Sequence, residues 1–133
     1  MKKPIDNLSR STTATKTNSG DMQVYFERGI KKFELQDYNG SISDLTKAIE
    51  IDPTNKWCYL YIGIAKMSIV DYPGAIANIS QAIKLNSTFT AAYYSRGILK
   101  MELGQINSGL LDLNKARELS DTDIFEGINI SNN

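Results

Sequence analysis

From Asp21 onward, apolar residues return every three or four positions along six stretches, each ended by a short polar break. That spacing places them on one face of a helix. It predicts helices over 22–35 and 38–51, 56–69 and 72–85, and 90–103 and 106–119. The breaks carry the chemistry of helix ends. Asp37 and Asp71 can each N-cap the helix that follows, and Pro73 falls in a first turn, where a missing N–H costs nothing. Gly104 suits a C′ position, and Asp52-Pro53 stops a helix because proline disfavours helical backbone in the residue before it. Asn86-Ser87 and Ser120-Asp121 supply comparable breaks without proline.

The six stretches form three pairs, and the pairs superimpose without a gap at a period of 34 residues: 22–55, 56–89 and 90–123. Tyr25, Tyr59 and Tyr93 coincide, as do Gly29, Gly63 and Gly97, Ala48, Ala82 and Ala116, and Ser41, Ala75 and Gly109. A glycine in mid-helix costs about 1 kcal/mol relative to alanine. Three at one register therefore mark places where a partner helix comes close, with the small residues of the second helix opposite. Larger columns, Ile42/Ile76/Leu110, Leu45/Ile79/Leu113 and Ile51/Leu85/Leu119, fill the space between. A fixed period of this length is the mark of a solenoid, in which each unit buries its apolar face against its neighbours. The predicted class is all-α, and solenoids of this kind present extended concave binding surfaces.

With its aromatic residue, glycine, small residue, alanine and Asp-Pro at set places, the unit resembles the tetratricopeptide repeat. The first copy reads Tyr25, Gly29, Tyr38, Ser41, Ala48, Asp52-Pro53; the second Tyr59, Gly63, Tyr72, Ala75, Ala82; the third Tyr93, Gly97, Ala116. The resemblance covers 22–123. It departs from the family where Lys32, Lys66 and Lys100 stand in place of a customary tyrosine, and where Ile106 replaces the turn aromatic. It implies a right-handed superhelix of paired helices, with the first helix of each pair lining a groove that takes a peptide or partner segment. The best-known ligand of three-repeat members is the acidic C-terminal tail of heat-shock chaperones. Lysine and asparagine of the first repeat, asparagine of the second, and lysine and arginine of the third grip its carboxylate. The matching positions here are Phe26, Ile30, Tyr61, Ala91 and Ser95, none of them cationic, so a chaperone-tail receptor is not expected.

Helical projection from the glycines puts three apolar columns on the groove face: Phe26/Leu60/Tyr94, Ile30/Ile64/Ile98 and Phe33/Met67/Met101. Trp57, Tyr61 and Ser95 lie beside them. Antiparallel pairing about Gln36 sets Arg28 opposite Asp44, and likewise Arg96 opposite Asp112; in the middle repeat both partners change together, to Ile62 and Asn78. The lysine column reads as stems laid along the helix with ammonium groups in water. At the end of the array, Arg117 replaces Ile49 and Ile83, and 124–133 carries enough apolar residues for a short cap over Leu113 and Leu119. A short cap leaves room for end-to-end homodimers.

Composition narrows the function further. The 133 residues carry no net charge, with 15 basic and 15 acidic side chains, so nothing favours nucleic acid. Residues 1–20, rich in Ser, Thr, Asn and Lys, read as a disordered tail. Histidine is absent and Cys58 is the sole cysteine. The chain therefore offers no usual general base, no thiolate cluster and no phosphate loop. The expectation is a cytoplasmic protein with no cofactor, metal or membrane insertion, not an enzyme but an adaptor or scaffold. A self-associating structural subunit is the alternative.

Overall fold

The computed structural model describes the backbone of residues 19–132 and the side chains of residues 20–122. Among them are six helices and no strand: α1 (Ser19–Glu34), α2 (Tyr38–Ile51), α3 (Lys56–Ser68), α4 (Tyr72–Leu85), α5 (Thr90–Glu102) and α6 (Ile106–Asn132). They form three helix–turn–helix units stacked side by side. The first helices touch in succession, α1 to α3 and α3 to α5, while the second helices do not touch one another. The array therefore bends toward its first helices.

The caps fall where the sequence puts them. Asp37 accepts a hydrogen bond from the Gly40 N–H at 3.0 Å, and Asp71 from the Gly74 N–H at 3.1 Å. Between repeats, Asp52 accepts from the N–H and hydroxyl of Thr54, and Asn86 does the same for Thr88. Tyr59 and Tyr93 donate their hydroxyls to the carbonyls of Pro53 and Ser87, which ties each first helix to the turn before it. The turn inside every repeat has one left-handed residue: Gln36 (φ 64°), Val70 (φ 68°) and Gly104 (φ 79°). The next amide closes the motif, Asp37 N–H to Lys32 C=O, Asp71 to Lys66 and Gln105 to Lys100. Only the third repeat uses glycine there, so the β-branched Val70 sits in a strained conformation.

Two departures concern the ends. Helix α1 begins at Ser19, inside the stretch expected as tail; residues 1–18 lie outside the described residues. The break expected at Ser120-Asp121 is absent, because α6 runs unbroken from Ile106 to Asn132. No proline or glycine occurs between Gly109 and Gly127, and a serine–aspartate pair is compatible with helix when no turn chemistry follows. The side chains of the expected 124–133 cap lie outside the described residues.

Packing follows the small-residue columns. A Cβ at Gly29 would lie 2.7 Å from Leu45 Cγ; at Gly63, 2.5 Å from Ile79 Cγ1; at Gly97, 2.8 Å from Leu113 Cγ. Leu45 and Ile79 are fully buried, so neither can move aside into solvent. Gly63→Leu should therefore destabilise the whole array by about 1–3 kcal/mol through overpacking, since each repeat leans on its neighbours. Urea unfolding checks this; a variant as stable as the wild type would contradict the assigned register.

Candidate functional site: the inner face of the array

The isoleucine column carries the inner face. Ile30, Ile64 and Ile98 come from α1, α3 and α5, and each is half-buried. Ile30 packs on the cluster of Leu45, Ala48, Cys58 and Ile62, and Ile64 on that of Leu60, Ile79, Ala82, Phe89 and Ala92. Their outer halves remain on the surface. Beside them runs a string of aromatic rings. Phe33 meets Tyr38 edge-on at 5.6 Å and Tyr61 at 5.2 Å; Tyr61 lies 6.4 Å from Trp57, which meets Phe89 edge-on at 4.8 Å. Trp57 is 44% exposed. Such contacts fix ring orientations without covering the outer faces.

Other predicted members serve different ends. Leu60, only 3% exposed, belongs to the core between repeats two and three. Phe26 packs on the equivalent cluster between repeats one and two. Their column is thus inter-repeat contact, and Tyr94 is 58% exposed because no described residue packs over it in turn. Met101 is committed inside its repeat, since a Cβ at Gly109 would lie 2.9 Å from Met101 Cγ. Phe33 and Met67 occupy the same register and are half-buried, as is Ser95. Tyr38 and Phe89, which complete the aromatic string, escaped the helical projection. One opens a second helix and the other caps α5, so neither lies on the face that was projected.

Four cations near this face, Arg28, Lys32, Arg96 and Lys100, are paired. Arg28 donates to Asp44 through Nε at 2.9 Å and Nη2 at 2.8 Å. Arg96 holds Asp112 at 2.7 and 2.8 Å and also donates Nη1 to Ser80 Oγ at 3.0 Å. These are the expected pairs, with more burial than expected on the acidic side: Asp44 is 2% exposed. The lysine column does not simply reach into water. Lys32 lies 2.9 Å from Asp44 and Lys100 3.0 Å from Asp112, so each aspartate has two cations. Lys66 has no such partner among the described residues, because the middle repeat has Asn78 there, whose buried Oδ1 is unpaired.

Hydrogen bonds from Arg28, helped by Lys32 and opposed by burial, hold the Asp44 carboxyl down at about 2. Burial alone would raise Asp112, but Arg96 and Lys100 outweigh it and the net shift is downward. Burial, with a contribution from Asp52, pushes the Cys58 thiol up to about 12, which makes it an inert core group. Among the described residues, no cluster of His, Cys, Asp and Glu could hold a metal ion. No helix there is long and apolar enough to cross a membrane.

No family model matches the sequence, and no curated protein matches it. The fold, in contrast, superposes on solved structures over most of its length. The first TPR of Spaghetti (RPAP3), bound to the HSP90 peptide SRMEEVD, shares 24% identity at a TM-score of 0.75, covering 86% of this chain and 94% of that one. The TPR2B domain of yeast Sti1, solved as a pHsp70 complex, shares 23% at 0.76, covering 82% and 86%. The first TPR domain of human RPAP3 shares 26% at 0.71, covering 74% and 78%.

An aspartate whose folded-state pKa lies below its unfolded value, about 3.9, adds stability that is complete above that value. The contribution disappears as pH falls through the folded value. For Asp44 the window runs down to about pH 2. Asp44→Asn should flatten the stability profile in this window and cost about 1–3 kcal/mol at neutral pH. Urea unfolding at stepped pH measures both, and an unchanged acid limb would contradict the pairing.

Proposed function

Since this chain belongs to the tetratricopeptide-repeat family, with three repeats in six helices, we propose that it is a non-enzymatic protein-interaction module. Its ligand is an apolar or amphipathic peptide segment laid along the inner face. The carrying observation is the Ile30/Ile64/Ile98 column, half-buried in every repeat and flanked by the rings of Trp57, Tyr61 and Phe33. Half-buried aliphatic and aromatic groups on a preformed face gain from burial without much further loss of side-chain freedom. Several similar structures are complexes with acidic heat-shock-protein peptides. Two features separate this chain from that ligand class. The positions matching the carboxylate-gripping residues are Phe26, Ile30, Tyr61, Ala91 and Ser95. The nearby lysines Lys32 and Lys100 are already paired with aspartates.

A panel of synthetic peptides tests the proposal by fluorescence anisotropy. Amphipathic peptides with aliphatic or aromatic residues at helical or alternating spacing should bind. SRMEEVD should not. Ile64→Lys should weaken the best binder by about tenfold or more, equivalent to about 1.4 kcal/mol, and affinity should change little with salt because few charges pair across the interface. Preference for SRMEEVD, or a steep loss of affinity with salt, would overturn it.

A further inference from the structure

A cleft of about 770 Å³ opens at the C-terminal end of the array, between Thr90, Ala91 and Tyr94 of α5 and Leu113, Ala116 and Arg117 of α6. Each wall residue has a counterpart 34 positions earlier, and there the cleft is full. Between repeats two and three, the walls Leu60, Ile79 and Ala82 close over Phe89 and Ala92. Between repeats one and two, Leu45 and Ala48 close over Cys58 and Ile62. The internal occupant is in both cases the next first helix, antiparallel to the second helix it covers. In the terminal cleft no described residue takes that part.

The chain's own continuation does not turn back at Ser120, because α6 remains one helix to Asn132. A second copy stacked head to tail is also a poor fit. The leading face of α1 would present Lys31, whose counterparts Ala65 and Leu99 are fully buried, and would bring Arg28 toward Arg117. A two-fold arrangement differs on both counts. Copies related by a two-fold axis across α6 place the two α6 helices antiparallel, the orientation in which α5 lies on α4. The sequence after Ser120 then suits the cleft: Ile124, Phe125 and Ile128 fall within two turns, among Asp121, Asp123 and Glu126. The acidic residues complement Arg117, which replaces the Ile49 and Ile83 of the filled clefts.

We propose that the terminal cleft is a homodimer interface, in which the 121–132 half of α6 from each copy fills the cleft of the other. It is distinct from the isoleucine column of the inner face. Light scattering and sedimentation of the full chain from about 1 to 100 µM test it. Wild type should be a reversible dimer. Ala91→Glu and Arg117→Glu, at exposed wall positions, should each weaken dimers by about tenfold or more and leave the helical circular dichroism of the monomer unchanged. Pairing Arg117→Glu with Asp123→Arg and Glu126→Arg should restore dimers. A wild-type monomer throughout that range, whatever fills its cleft, overturns the proposal, as does a dimer indifferent to both wall substitutions.

Discussion

Each repeat in this chain is incomplete until the first helix of the next one is set into the cleft between its own two helices. Burial of Cys58 and Ile62 against Leu45 and Ala48, and of Phe89 and Ala92 against Leu60, Ile79 and Ala82, is the interaction on which the array depends. The curvature follows from the same constraint, since the first helices must reach across both to their own partner and to the repeat before. The inner face exists because, among the described residues, that reach leaves one side of α1, α3 and α5 uncovered.

Charge is distributed to suit this dependence. The first and third repeats each pin their two helices with an arginine and a lysine on one aspartate. The middle repeat has Ile62, 2% exposed, at the arginine position, and Asn78 in place of the aspartate. Flanked on both sides, it can use apolar burial where its neighbours, each flanked on one side among the described residues, use ion pairs. A buried carboxylate with two cations also fixes helix register, because sliding by one residue would strand it.

The repeat length, the six helices, the close approach at Gly29, Gly63 and Gly97, and the Arg28–Asp44 and Arg96–Asp112 pairs were legible in the sequence. All depend on helical period and antiparallel register alone. The features that were not legible depend on what lies across a gap in the chain. The column of Phe26, Leu60 and Tyr94 projects onto the same face as the isoleucines. Only stacking decides that Leu60 is core and that Tyr94 borders an open cleft. The ion pairs of Lys32 and Lys100 need the depth of Asp44 and Asp112, which spacing does not reveal. Val70 at a left-handed turn position could have been inferred by aligning it with Gly104; a lone valine gives no such signal.

If neighbour burial holds the array together, protection from hydrogen exchange should follow the number of covered sides. Native-state exchange resolved by segment measures this directly. The account predicts that α3, in contact with α1, α2, α4 and α5, exchanges slowest, and that α1, covered among the described residues by α2 and α3, opens at a clearly lower free energy. An α1 as protected as α3 would show that the first repeat stands by itself, and would contradict the account.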